Sequence, residues 1–173
     1  MHSEQFHKII WPLAIAETIV WAALYYSFPA LLVQWEHEFG WSKTGVTGAF
    51  TLAVLTSAAM APIAGRLIDR GLGRTVFAGS ALLGALLLVA LTQITQLWQF
   101  YLVWFGIGVT LAGCLYEPCF AILTRTLGPR ARRGITIVSL VAGLAGTVSF
   151  PAAFYLSAWL GWRGAVLVFA AAI

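Results

Sequence analysis

Charged and apolar positions are segregated along this chain. No Asp, Glu, Lys or Arg occurs from Thr44 to Gly65, from Thr75 to Tyr116 or from Gly134 to Trp162, and Glu17 is the only one between Ile9 and Trp35. Runs of this length match membrane spans, since about 20 apolar residues as a helix cross a bilayer core of roughly 30 Å. The pattern predicts helical spans at 9–34, 44–65, 75–92, 99–124 and 134–160, joined by turns short enough to make sequence neighbours antiparallel neighbours in space. A sixth apolar segment, 164–173, would extend only about 15 Å as a helix. A C terminus inside hydrocarbon leaves its last carbonyls without partners, so the expectation is an incomplete sixth span in a fragment of a longer protein.

The composition agrees with spans. The chain is 61% hydrophobic and 9% charged, against about 25% charged in an ordinary soluble domain. That balance excludes a soluble enzyme, a nucleic-acid-binding module, a disordered tail and a disulfide-stapled secreted domain. The first span is too long for a signal peptide and carries Pro12, Glu17 and Pro29. Cys114 and Cys119, about 8 Å apart if helical, are expected as free thiols. No phosphate-binding Gly-Lys-Ser/Thr and no His/Cys cluster of metal spacing is present, so neither cofactor nor metal is implied. His2, His7 and His37 are read as solvated, and Glu36-His37-Glu38 as a polar turn.

Charge then gives orientation. Lys8, Arg66, Arg70, Arg74, Arg125, Arg130, Arg132 and Arg133 fall on one side of the predicted spans, and only Lys43 and Arg163 on the other. The positive-inside rule makes the first side, with the N terminus, cytoplasmic. Trp35, Trp41, Trp98, Trp159 and Trp162 fall in or beside the opposite turns, where an aromatic belt is expected.

Gly65-Arg66-Leu67-Ile68-Asp69-Arg70-Gly71-Leu72-Gly73-Arg74 resembles the loop signature of the major facilitator superfamily, with one residue more before the Gly-Arg pair. Gly106, Gly108, Pro118, Arg132-Arg133-Gly134, Gly143, Gly146, Pro151 and Gly161-Trp162-Arg163 resemble its monocarboxylate-porter branch. Two positions depart from related carriers: a fourth-helix arginine of proton-coupled members appears as Leu102, and a first-helix lysine of animal monocarboxylate carriers falls near Tyr26. The resemblance implies an all-α membrane protein in a bacterial inner or plasma membrane. It further implies the six-span half of a twelve-span secondary transporter, built of two inverted three-helix repeats, with the C-terminal half absent from 1–173. The implied partners are the lipid bilayer, a small solute such as an organic anion, and protons. Small-residue helix faces leave open a different class, a non-transporting six-span protein that associates with a partner.

Glu17 and Glu117 are the acids within spans, each roughly 10 to 12 Å from the cytoplasmic end of its helix. In the family the first and fourth helices line the central cavity, where two facing carboxylates could share a proton; otherwise each is interhelical glue. Gly106, Thr110, Gly113, Glu117, Ala121 and Thr124 form one small, polar stripe at helical spacing, which suits a cavity wall or a packing seam. Pro118 frees a carbonyl beside Glu117. Tyr25 and Tyr26 are candidate substrate contacts. The resemblance makes Gly65, Asp69, Arg70, Gly73 and Arg74 a cytoplasmic gate, with Arg125 the expected partner of Asp69. Gly143, Gly146 and Pro151 on the fifth helix are expected at helix-packing contacts between halves, and Arg66, Arg130, Arg132 and Arg133 as topology determinants.

Overall fold

A chain crossing lipid must satisfy its backbone polar groups internally, and a helix does so within one segment. The computed structural model describes residues 3–173, with side chains from Phe6 onward, and is helical almost throughout; His2 lies outside the described residues. Helix α1 (Ser3–Val20) passes through a π-helical stretch, Trp21–Tyr26, into α2 (Ser27–Phe39). Gly40, at φ 66°, ends α2, and Ser42 caps α3 (Lys43–Leu67) by accepting from the Gly45 amide at 3.1 Å. A second π-helical stretch, Ile68–Leu72, leads to α4 (Gly73–Leu91). Gln96 and Gln99 form a reciprocal cap at the start of α5 (Leu97–Cys114), which is followed by α6 (Tyr116–Leu127). A 3₁₀ turn, Gly128–Arg130, then enters α7 (Ala131–Ala142), and α8 (Ala145–Ala172) completes the chain.

Three apolar, mainly helical stretches, Phe6–Phe39, Lys43–Leu91 and Leu97–Ala172, are long and apolar enough to cross a membrane. The expected division into six separate helices is corrected on this point, because three of the expected turns contain almost no non-helical backbone, the one between the fourth and fifth expected spans being the 3₁₀ turn Gly128–Arg130. The segments expected at 44–65 and 75–92 are joined through Gly71 (φ 93°, ψ 1°), and those at 134–160 and 164–173 through Gly161 (φ 69°, ψ 169°). Glycine tolerates both geometries without a Cβ clash. Conversely, the fourth expected span, 99–124, is interrupted at Leu115 (φ −92°, ψ −154°), and the fifth between Ala142 and Ala145. Pro118 therefore lies in the first turn of α6, where its missing N–H has no helical partner to lose. It does not kink a continuous helix.

Side-chain contacts fix the direction of each pass. Tyr101 donates to the Gly45 carbonyl at 2.9 Å, and a Cβ on Gly108 would strike the Ala53 backbone, so α3 and α5 run parallel. Gly106 faces Leu87 while Gly113 faces Ser80 and Val76, so α4 runs antiparallel to α5. The chain thus reverses at Gly71. Ser149 donates to the Ala22 carbonyl at 2.8 Å and Gln34 to Ser157 at 2.7 Å, which sets the first part of α8 parallel to α1–α2. Beyond Gly161, Arg163 donates to the Thr92 carbonyl at 3.0 Å, and Ala172 and Ile173 share a cavity with Phe77 and Ala81. The chain reverses there too.

These contacts sort the polar residues into two ends. Ile10 beside Gly134, and Arg125 beside Asp69, bring the start of α1, the Asp69 turn and the start of α7 together. At the other end Arg163 pairs with Glu38, Trp162 donates to the same carboxylate, and the Arg163 guanidinium lies 4.4 Å from the Trp162 ring. The belt expectation is corrected for two tryptophans. Trp35 and Trp162 are buried, with ring centroids 6.1 Å apart, whereas Trp98 and Trp159 face outward. Glu38 likewise belongs to an ion pair and not merely to a solvated turn. Leu140, Phe154 and Trp159 are among many exposed apolar side chains, as expected where lipid is the solvent.

Candidate functional site

The π-helical stretch determines where the first-span candidates point. A π-turn inserts an extra residue into the helical register, which rotates the side chains on either side relative to an uninterrupted helix. Two buried hydroxyls satisfy carbonyls in this stretch: Ser149 donates to Ala22, and Ser27 donates to Ala23. Gly146 allows the close approach, since a Cβ there would lie 3.3 Å from the Tyr26 ring. Gly146 therefore makes a close helix contact within this chain. Gly143 and Pro151 are exposed, and Gly143 lies in the break between α7 and α8.

Glu17, one turn before the stretch, is completely buried. Its Oε1 accepts from Trp21 Nε1 at 3.1 Å, while Oε2 is buried with no hydrogen-bond partner among the described residues. Cys114 and Cys119 are buried free thiols close by. Trp21 in turn packs on Tyr25 and Tyr116, with centroids 5.0 and 4.9 Å away, and Tyr116 stacks on Phe120. The buried carboxyl therefore sits behind a layer of aromatic rings.

Glu117 has a different setting from the one expected. It is exposed and lines a cavity of about 250 Å³ with Tyr25, Ser57, Leu111 and Leu115. No hydrogen bond links it to Glu17 among the described residues. The two acids occupy the interior and the surface of one region. The break at Leu115 explains this, because it divides the expected stripe between two helices. Upstream, Thr110 is buried and donates to the Ile107 carbonyl at 2.7 Å, and Gly113 is filled by Ser80 of α4. Thr110 and Gly113 are thus packing positions and not cavity wall.

Tyr25 and Tyr26 are half-buried and adjoin Trp21, as a first-span aromatic face requires. Tyr116 and Ser57 are the residues the sequence reading missed. Tyr116 and Phe120, four apart on α6, were visible as an aromatic pair; nothing in the sequence singled out Ser57.

At the Asp69 turn, Arg125 reaches Asp69 as expected but through a different atom. Its guanidinium donates to the Asp69 backbone carbonyl, not to the carboxylate. Gly71, Gly73, Arg74, Ile122 and Arg125 border a cavity of about 320 Å³ here. A Cβ on Gly73 would come within 3.3 Å of Ile122, so that glycine permits close approach between α4 and α6. Gly65 meets nothing within 4 Å at its Cβ position, and Asp69, Arg70 and Arg74 are exposed, leaving this face of the turn open.

The family model described as Major Facilitator Superfamily matches residues 13–173. No curated protein and no solved structure matches the chain.

Proposed function

The chain belongs to the Major Facilitator Superfamily, a family of membrane transporters and not enzymes, and from that premise we propose secondary active transport of a small solute coupled to protons at Glu17. The observation carrying the coupling is the buried Glu17 carboxyl, with one oxygen held by Trp21 and the other unpartnered among the described residues, behind an aromatic layer of which Tyr25 borders the Glu117 cavity. Intramembrane carboxyls are costly and are typically tied to ion or substrate pathways.

The reversals at Gly71, at the Gly128–Arg130 turn, where Gly134 folds back on Leu127 and Leu123, and at Gly161 support six crossings in place of three, since a 49-residue helix would be about 73 Å long and far exceed a bilayer core. The last crossing is the short one after Gly161. In this reading the chain is one half of a twelve-span carrier that rocks around a site between halves, with the N terminus in the cytoplasm. Gly65 and the exposed residues of the Asp69 turn form the gate surface that meets the other half.

A monocarboxylate is the substrate class suggested by the sequence resemblance. Glu117 is the only charged group bordering the Tyr25 cavity among the described residues, so an anionic solute must find its counter-charge outside this set. Association through small-residue seams, the non-transporting alternative, draws little support here, because Gly106, Gly108 and Gly113 are filled from α3 and α4.

The test is transport by the complete protein in liposomes. Proton-driven uptake in the wild type, lost in Glu17→Gln with substrate exchange retained, is the expected result. Accumulation by Glu17→Gln with an unaltered pH dependence sinks the coupling site.

A further inference from the structure

The walls of the Glu117 cavity carry a sign. From Ile9 to Trp35, from Thr44 to Gly65 and from Thr75 to Tyr116 the sequence holds one charged residue, the acid Glu17, and Glu117 follows directly. Between their ends the helices around Tyr25 therefore carry two carboxyl groups and no lysine or arginine. Arg66, the next base along α3, does not border the cavity. Glu117 is exposed and has no ion-pair partner among the described residues. The positive end of the α6 dipole, worth about half a charge, lies in the same turn as Glu117 and is more than offset by it.

Aromatic rings complete the wall. Tyr25, which borders the cavity, lies 5.0 Å from Trp21, 5.4 Å from Tyr26 and 5.1 Å from Phe50, measured between ring centroids. Tyr116, the neighbour of Glu117 on α6, lies 4.9 Å from Trp21. All five rings are half-buried and keep part of their surface open. The face of an aromatic ring is electron-rich and attracts an ammonium group. Val54, Ala58, Leu111 and Leu115 supply the apolar part of the lining, which suits methyl and methylene groups. Ser57 and Tyr25 offer an anion two hydroxyls but no positive charge, and Glu117 would repel it. A complete small-molecule site spans roughly 300–1,000 Å³, so a cavity of about 250 Å³ holds one end of a solute.

We propose that this cavity takes the positively charged end of an organic cation, an amine or a quaternary ammonium, with the Glu117 carboxylate as counter-charge and the Tyr25 ring as cation–π surface. The cation site rests on the reading that solute enters the Glu117 cavity, and it names the substrate class for that path. It departs from the monocarboxylate class of the sequence resemblance, because an anion gains nothing from these walls that an ammonium group would not gain more.

Three probes of nearly one shape and different charge test the sign: choline, its uncharged carbon isostere tert-butylethanol, and the tert-butylacetate anion. Each is titrated by calorimetry into the complete protein in detergent, where no gradient acts. Choline should bind about tenfold more tightly than the alcohol, and the anion weakest. Glu117→Gln, at an exposed position, should keep the melting temperature and weaken choline binding about tenfold. Tyr25→Leu should weaken it about twofold to thirtyfold, while Tyr25→Phe preserves it, since the ring and not the hydroxyl attracts the cation. Equal binding of choline and the alcohol, tightest binding of the anion, binding of none, or undiminished choline binding in Glu117→Gln overturns the proposal. Uptake into proteoliposomes separates this site from transport itself. Accumulation of tert-butylacetate without choline binding keeps transport and removes the cation site. Choline binding that follows these variants, in a protein that moves none of the three, keeps the site and counts against transport.

Discussion

Trp21 donates its indole N–H to Glu17 across one helical turn at 3.1 Å, and the same ring lies 4.9 Å from Tyr116. One side chain thus holds the buried carboxyl and separates it from the rings of α6. Trp21→Phe should keep the aromatic contact but remove the indole donor from Glu17, leaving the carboxyl only the weak donor of the neighbouring Cys119 thiol. A loss of about 1–3 kcal/mol is expected for orphaning a buried polar group, read as earlier unfolding in a detergent thermal melt. Unchanged stability would show that the carboxyl finds another donor.

Glu17→Gln and Glu117→Gln should behave differently, because one group is buried and the other borders an open cavity. The first is expected to remove proton-driven accumulation while sparing exchange; the second should mainly weaken apparent substrate affinity. Proteoliposome uptake and exchange, measured side by side, separate the two. Identical phenotypes would return the pair to a shared role.

At the Asp69 turn the bond runs to a backbone carbonyl, so Asp69→Asn leaves Arg125 its acceptor. Arg125→Gln removes the donor. Arg125→Gln should therefore loosen the turn, seen as faster proteolysis or hydrogen exchange at Ile68–Leu72, whereas Asp69→Asn should slow transport with little local loosening. Equal loosening by both would mean that the carboxylate also holds the turn.

Glycine replacements offer a graded check on helix packing. A Cβ at Gly108 overlaps the Ala53 backbone, while one at Gly79 meets nothing within 4 Å. Gly108→Ala should cost about 1–3 kcal/mol through forced separation of α3 and α5. Gly79→Ala should be neutral or stabilise by up to about 1 kcal/mol through helix propensity. Melts of the two variants decide; destabilisation by both to the same extent would contradict the packing described.

Orientation is tested by single cysteines near Gln96 and Arg130. With the N terminus inside, the first should react with an impermeant thiol reagent from outside and the second only after permeabilisation. The reverse pattern overturns the arginine-based topology.

Segregation of charge in the sequence made the helical class and the Asp69 turn legible, because lipid leaves a chain few alternatives to helix. Angular position was harder to read. Trp35 and Trp162 stand at span ends, where a belt is expected, yet the Glu38–Arg163 contact and mutual ring packing draw them inside. The stripe through Thr110 and Glu117 presumes an unbroken helix, and a single extended residue, Leu115, divides it. That break and the π-helical stretch accompany long-range contacts such as Ser149 to Ala22, which leave no local signature. Arg133, at the start of α7, was legible as charge, but its contact with the Phe6 ring depends on two segments far apart in sequence.

The π-helical stretch also sets an angular phase. Were the six residues Trp21–Tyr26 to relax into ordinary α-helix, everything before them would turn by about 100° relative to everything after. Glu17 would then swing away from its place behind Trp21 while α2 kept its own contacts. Composition and hydropathy of the span would hardly change, so the lesion would be invisible to any inspection of apolar length. A straightened stretch of this kind would yield a protein that inserts normally yet carries its buried acid on the wrong side of the helix.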